Sequence, residues 1–223
     1  MMFNALIFDL DGTLLNTLED IASSGNTVLA RHGFPGHDLD DYRYFVGEGS
    51  AMLVERMLPA GKRDDNSVKL YLGEYSEEYS RNWNMTTKPY DGVPEVLDGL
   101  KALGLKLAVL SNKQDEDTKK CVTEFLPDGS FDIVMGYNGA IPHKPDPTGA
   151  LQIADLLNVV PEQILYVGDT AIDMKTAVAA GMFPVGAVWG FRSSEELKDN
   201  GAQILIERPQ EILRLLDDLS LCK

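Results

Sequence analysis

The sequence predicts an α/β protein: a doubly wound parallel-sheet core into which a small α-helical domain is inserted. Three observations carry this. An apolar run, Leu6 to Phe8, ends in Asp9-Leu10-Asp11-Gly12-Thr13, so a buried strand delivers two carboxylates and a glycine to a sheet edge. From Lys88 onward, short apolar strands alternate with helical segments, the pattern of a parallel sheet with helices on both faces. Between these regions, residues 16–87 carry no strand pattern. The core is therefore expected at 1–15 and 88–223, and the helical domain at 16–87.

The elements follow in order. Asp11-Gly12 is also a turn signal, but a hairpin would lead into an alternating strand, and Leu14 onward reads as the approach to a helix. Thr17 to Arg31 is expected to be helical, with Thr17 and Asp20 as a capping box and Gly33 as the stop. A short helix is expected over Leu39 to Val46, a break at Val46-Gly-Glu-Gly-Ser50, and helix again over Ala51 to Leu58. Ser67 to Trp83 is expected to be helical, burying Val68, Leu72, Tyr75 and Tyr79 as packing residues. In the core, helices are expected at Pro94 to Leu103, Asp115 to Phe125, Pro147 to Leu157, Ile172 to Ala180 and Pro209 to Leu219. Strands are expected at Lys106 to Leu110, Phe131 to Met135, Ile164 to Val167, Pro184 to Val188 and Gln203 to Ile206. An insertion directly after the first strand is expected to sit over the carboxylates as a lid, hinged near 15–17 and 86–90.

Composition narrows the function. At 223 residues and 44% hydrophobic, the chain can bury a sizeable core. No apolar run can span a bilayer, and Asp9 interrupts the first apolar stretch, so neither a membrane span nor a signal peptide is expected. Cys121 and Cys222 make no disulfide framework and are expected to be structural or incidental in a cytoplasmic protein. With 20 basic against 35 acidic residues, the formal charge is −15, which repels nucleic acid and anionic membranes. A small anion can still bind where a metal ion and a few cations invert the local field.

The residues able to do chemistry follow strand ends. Besides Asp9 and Asp11, these are Ser111 and Asn112, Lys144 in the loop Ile141-Pro-His-Lys-Pro-Asp-Pro147, and Asp169 with Asp173 four residues on. Each has a plain alternative. Ser111 can cap the next helix with Gln114, Lys144 can be a solvated loop cation, and Asp173 can cap its own helix with Thr170. Together they suggest one site. Three clustered carboxylates repel by about 4 kcal/mol per pair at an effective dielectric of 20, which calls for a hard divalent cation, Mg²⁺ by default. An Asp carboxylate can attack phosphorus, and Asp11 can act as acid and then as base. Ser111, Asn112 and Lys144 can hold phosphate oxygens. His32 and His37 flank a Pro-Gly loop without evident metal-ligand partners, His143 is placed to help position Lys144, and Trp189 and Phe191 read as core or rim.

Phe8-Asp-Leu-Asp-Gly-Thr-Leu14, Ser111-Asn-Lys113, His143-Lys-Pro-Asp-Pro147 and Gly168-Asp-Thr-Ala-Ile-Asp-Met174, in that order and spacing, resemble the haloacid dehalogenase superfamily of aspartate-nucleophile phosphatases. The resemblance covers the whole chain and implies a core sheet in strand order 5-4-1-2-3 with a small helical cap. It implies Asp9 as nucleophile and Asp11 as acid and base. Mg²⁺ would be held by Asp9, the backbone carbonyl of Asp11 and Asp169, with Asp173 binding it directly or one step removed. Ser111 and Lys144 would bind phosphate. Thr13, Lys113, Lys88-Pro-Tyr-Asp-Gly-Val-Pro-Glu-Val-Leu97 and the glycine-rich Val46–Ser50 resemble the phosphoglycolate phosphatase branch. In that reading the backbone of Gly47, Glu48 and Gly49 approaches a substrate carboxylate; the alternative is a plain helix–helix turn. Asn16 departs from the acid usual in the branch. The resemblance implies a small phosphorylated metabolite as partner, phosphoglycolate first. The rivals are a pyrophosphatase or nucleotide phosphatase, a phosphosugar mutase similar to β-phosphoglucomutase, and a non-catalytic binding protein. The last would be expected to lack some of Asp9, Asp11, Lys144 and Asp169, and all are present.

Overall fold

A computed structural model describes residues 3–221, so Cys222 lies outside the described residues. The chain forms two compact units, one of residues 1–15 with 89–223 and one of residues 16–88. In chain order, β1 (Ala5–Phe8) leads into β2 (Leu15–Asn16). Then come α1 (Leu18–Arg31), α2 (Leu39–Phe45), α3 (Ser50–Met57) and α4 (Asp65–Asn82), and β3 (Lys88–Pro89) pairs with β2. The remainder is α5 (Val93–Ala102), β4 (Lys106–Gln114), α6 (Asp115–Phe125), β5 (Ile133–Tyr137), α7 (Thr148–Leu157) and β6 (Ile164–Gly168). It continues through α8 (Ala171–Ala179), β7 (Phe183–Ala187), α9 (Ser194–Asp199), β8 (Ile204–Ile206) and α10 (Glu211–Leu221).

In the first unit six strands form one sheet, in the order β5-β4-β1-β6-β7-β8. Counting only these strands, that is the expected 5-4-1-2-3 arrangement with a sixth strand, β8, added at the edge. β1 lies at the centre, parallel to both neighbours, with Ala5 opposite Lys106 on one side and Ile164 on the other. All four β1 residues are buried, as a strand covered on both faces requires. Alternation divides its side chains. Ala5 and Ile7 join Ala108, Leu110, Ile164 and Tyr166 in a cluster with Ala150, Ile153, Ala154 and Leu157 of α7 and Ala177 of α8. The order reverses around β1, so the C-terminal ends of β1, β4 and β6 open at the switch point, where α/β sheets bind ligands.

Besides shifts of one or two residues at other element ends, two larger differences from expectation stand out. β4 does not stop at Leu110; its pairing with β5 resumes at Gln114 opposite Tyr137 after a register shift, which keeps Ser111–Lys113 extended at the sheet edge. Helix α9 was not anticipated. Its signal was the spacing Ser193-x-x-Glu196, since Ser193 Oγ accepts from the Glu196 N–H at 3.2 Å.

In the helical unit, α1 packs on α4 and α2, and α3 packs on α2 and α4. The expected buried face of α4 is rotated. Tyr71, Tyr75, Glu78 and Tyr79 are buried, while Val68 and Leu72 are only half-buried. Glu78 is drawn inside by an ion pair with Arg31 and a hydrogen bond from Asn82 Nδ2. His32 and His37 serve packing: His32 pairs with Glu74 at 2.8 Å, stacks on Phe34 and meets Tyr71 edge-on, and His37 Nε2 meets the Met57 carbonyl at 2.7 Å.

The expected capping box at Thr17 is absent. Thr17 has helical backbone angles (φ −104°, ψ −2°) and no capping bond. The carboxylate of Asp20 is committed elsewhere. Oδ1 accepts from the N–H and Oγ1 of Thr86, at 2.9 and 2.7 Å, and Oδ2 from those of Thr87, at 2.9 and 2.7 Å. This clasp ties the start of the unit to its end. Burial pushes the Asp20 carboxyl up, but these hydrogen bonds outweigh it and hold its pKa below the usual range. Asp20 is 2% exposed and Thr87 is buried, whereas Thr86 is exposed, so Asp20→Ala strands the two Thr87 donors away from water and is expected to cost about 1–3 kcal/mol in denaturant melts at pH 7. Because the folded pKa is depressed, this contribution is present above the unfolded value and lost as pH falls through the folded one. The gap between wild type and Asp20→Ala should therefore narrow in acid, and a gap independent of pH would assign the effect to packing.

Candidate active site

The site is assembled from the ends of β1, β4 and β6 and from the loop before α7. Asp9 follows the last residue of β1, its N–H bonded to the Val167 carbonyl of β6 at 3.0 Å. That bond extends the parallel ladder one residue past the strand, so the carboxylate is held by backbone. Asp169 follows β6 directly and Asp173 lies in the first turn of α8. All three carboxylates are buried, and each offers an oxygen within 4.8 Å of the others.

Lys144 is no solvated cation; it is 5% exposed. Its ammonium meets Asp9 Oδ1 at 2.8 Å, Asp173 Oδ1 at 2.7 Å and the Leu110 carbonyl at 3.0 Å. Three donors thus meet three acceptors. Asn112 places this lysine. Its Nδ2 donates to the Lys144 carbonyl at 3.0 Å, and its Oδ1 accepts from the Lys144 N–H at 2.8 Å. Both ends of the amide are thus directed at the main chain of Lys144. His143, by contrast, lies over the ring of Tyr137, centroids 3.6 Å apart.

Asp173 caps its helix, as one reading of the sequence allowed, and also faces the site. Oδ2 accepts from the Thr170 N–H and Oγ1, at 3.1 and 2.6 Å, completing a capping box, while Oδ1 faces Lys144. The capping bonds fix the rotamer that presents Oδ1 to the site.

Asp169 is gripped from the other side. Thr13 Oγ1 donates to Oδ1 at 2.8 Å, and the Phe191 N–H donates to Oδ2 at 2.7 Å. Two glycines make room for it. A Cβ on Gly12, whose φ is +92°, would lie 2.3 Å from Asp169 Oδ2, and one on Gly190 would lie 2.2 Å from its Cβ. Trp189 Nε1 donates to the Thr13 carbonyl at 3.0 Å and so helps to hold the turn that carries Asp11 to Thr13.

One ammonium cannot neutralise three buried carboxylates. Burial, with Asp173 nearby, pushes the Asp9 carboxyl well above the usual range despite Lys144. Burial and Asp173 push Asp169 up to about 7, against the restraining Phe191 N–H, Thr13 hydroxyl and Arg192. Lys144, though burial opposes its charge, is held well above its ordinary pKa by Asp173 and Asp9. The uncompensated charge and the all-oxygen donor set fit a hard divalent cation.

Asp11 stands at the rim of this cluster, its carboxylate paired with Lys113. Ser111 is buried beside the site and accepts from the Lys113 N–H at 3.2 Å; the helix that follows begins after Gln114, whose side chain makes no capping bond, so Ser111 is not its cap. Gly47, Glu48 and Gly49 lie in the helical unit, in the turn between α2 and α3, where Glu48 pairs with Arg56. Sequence reasoning overlooked Lys113, Thr13 and the Phe191 amide as site groups. Lys113 was visible beside Ser111-Asn112, but nothing in the sequence said that it reaches Asp11. Cys121 is buried, its thiol pushed up to about 11, which suits a packing role.

Among the described residues, no helix is long and apolar enough to cross a membrane. The family model for haloacid dehalogenase-like hydrolases matches residues 6–187. The phosphoglycolate phosphatase of Aquifex aeolicus (strain VF5) is 32% identical over 213 residues, which is 96% of this chain and 96% of that one. A crystal structure from Lactobacillus delbrueckii subsp. bulgaricus shares 27% identity at a TM-score of 0.90, covering 97% of this chain and 99% of that one. A predicted phosphoglycolate phosphatase from Haemophilus somnus 129PT shares 27% identity at a TM-score of 0.88, covering 96% and 98%. The sheet order, the strand-end carboxylates and the family match over residues 6–187 agree, and the chain belongs to the haloacid dehalogenase-like hydrolases.

Proposed function

We propose that the protein is a Mg²⁺-dependent phosphatase of small phosphate monoesters that works through an aspartyl phosphate, with phosphoglycolate as its first substrate. The observation that carries this is the Lys144 ammonium set between Asp9 and Asp173, with Asp169 completing a carboxylate triad. Asp9 is the nucleophile. Its carboxylate oxygen bonds to phosphorus as the ester oxygen–phosphorus bond breaks, and Asp11 gives a proton to the departing alkoxide. Asp11 then takes a proton from water as that water attacks phosphorus, releasing phosphate and the Asp9 carboxylate. Lys144 and Ser111 hold phosphate oxygens and offset the charge that develops on them. Asn112, read from the sequence as a phosphate ligand, acts instead by placing Lys144. Asp9, Asp169, Asp173 and the Asp11 carbonyl would hold the cation, which when bound supplies positive charge to the phosphoryl oxygens. The helical unit is proposed as a cap that selects the substrate, with Gly47–Gly49 as its contribution. The buried free thiol of Cys121 suits a cytoplasmic enzyme.

The test is phosphate release from phosphoglycolate, pyrophosphate, nucleotides and sugar phosphates, with Mg²⁺ and then with EDTA. Release that EDTA abolishes and that is strongest on phosphoglycolate is the expected result. Release led by another ester keeps the chemistry and discards the substrate. No release from any ester, with turnover of a sugar bisphosphate, would establish the mutase instead.

The metal should also be visible in stability. A carboxyl whose pKa rises from 3.8 to about 7 on folding binds its proton more tightly when folded. Stability of the metal-free protein therefore falls as pH rises across that window, by on the order of 4 kcal/mol for Asp169 at 1.36 kcal/mol per unit. Melts in EDTA should show this decline between about pH 4 and pH 7. Mg²⁺ should raise the melting temperature more at pH 8 than at pH 5. Equal Mg²⁺ effects at both values would mean that the triad does not hold it.

A further inference from the structure

The Lys113 ammonium lies 3.1 and 3.2 Å from the two carboxylate oxygens of Asp11. The two side chains are 9% and 12% exposed, so this is a nearly enclosed pair at the rim of the site. The mechanism above gives Lys113 nothing to do. Lys144, a second enclosed ammonium at the site, is assigned above to the phosphate oxygens and lies against Asp9, Asp173 and the Leu110 carbonyl. The main chain of Lys113 is also tied to the site, since its N–H is bonded to Ser111 Oγ.

We propose that Lys113 is a specificity residue that recognises a carboxylate on the leaving alcohol, so that the enzyme favours phosphate esters of 2-hydroxy carboxylates. This rests on the reading of Asp11 as the acid at the leaving oxygen. A group that gives a proton to that oxygen lies one hydrogen bond from it, and Lys113 lies one hydrogen bond from that group. The ammonium is therefore within about 6 Å of the ester oxygen. A carboxylate on the adjacent carbon lies about 3 Å from the same oxygen, within reach of the lysine with little movement. Charge points the same way. Asp9, Asp11, Asp169 and Asp173 would repel a carboxylate entering beside the phosphate, and an ammonium next to Asp11 offsets that repulsion where it is closest.

The test uses the Mg²⁺-loaded full-length protein, wild type, Lys113→Gln and Lys113→Arg. The substrates are phosphoglycolate and 2-hydroxyethyl phosphate, which differ in a carboxylate replaced by a hydroxymethyl group. The quantity read is the ratio of their kcat/KM values. Wild type should favour phosphoglycolate, Lys113→Gln should lower the ratio about 10- to 100-fold, chiefly through KM, and Lys113→Arg should restore part of it. If Lys113 only holds Asp11 in place, both substrates fall together and the ratio stands, which overturns the proposal. A wild type that prefers another carboxylated ester, with that preference lost in Lys113→Gln, supports the proposal and discards phosphoglycolate. A wild type with no preference for carboxylated esters overturns both and leaves the phosphatase chemistry in place. Circular dichroism of the variants separates loss of fold from loss of selectivity, and Lys113→Arg keeps the test decisive should Lys113→Gln not fold.

Discussion

Asp9→Asn is expected to lower phosphate release by about 10⁴-fold or more, the scale on which removal of a nucleophile acts. The carboxamide is nearly the same size, so no cavity opens and the main-chain bond to Val167 is kept. What changes is charge. In the metal-free protein the Asp9 carboxylate is disfavoured by burial and by Asp173, and Lys144 offsets only part of this. Removing it relieves the cluster, while Lys144 keeps Asp173 and the Leu110 carbonyl. The variant should therefore melt cooperatively in EDTA at or above the wild-type temperature, and its gain on adding Mg²⁺ should be smaller. Phosphate burst measurements and thermal melts on the same preparation check both halves. Wild-type turnover would refute the covalent route. A variant that is inactive because it is unfolded would mean that Asp9 supports the fold, contrary to the charge argument.

The fold could be read largely because the core strands are covered on both faces. Continuous apolar runs such as Leu6 to Phe8 and Ile164 to Val167 have no other common use at that length. Several of the differences share a cause: a side chain is engaged by a partner distant in sequence. Asp20 was expected to cap beside Thr17, and Thr86 and Thr87, 66 and 67 residues away, take it instead. Asn112 was expected at the phosphate, and its bonds to the main chain of Lys144, 32 residues on, were not foreseen. Lys113 went unassigned because its partner, Asp11, lies 102 residues earlier. The triad itself was legible, since each carboxylate marks a strand end or the helix that follows one, and parallel strands in a common direction bring such ends together. Asp173 belongs to both cases, since its local capping role and its distant pairing use different oxygens.

Lys144→Met is the variant with the largest expected effect on stability. Methionine fills much of the same space, so the loss isolates the ammonium from the stem. Without it, Asp9 and Asp173 remain buried with no cation between them, and Asp173 keeps only the bonds from Thr170. Removing one partner of a buried charge pair costs about 3–5 kcal/mol, far above the 0.5 kcal/mol or so expected of a solvated loop lysine. The pH dependence identifies the cause. Lys144 has a raised folded pKa, so its own contribution is complete below the unfolded value of 10.5 and fades only in alkali. On the acid side Asp9 decides. Once it is protonated in both states, the variant buries less unpaired negative charge, whereas wild type still buries an ammonium that has lost one charged partner. The stability gap should therefore be widest near pH 8 and shrink, or change sign, below about pH 4. Urea melts of both proteins in EDTA at pH 8, 6 and 4 measure it. A constant gap would assign Lys144 to packing alone. Narrowing in acid, with activity lost throughout, would show one ammonium both sustaining the buried carboxylates and serving the chemistry.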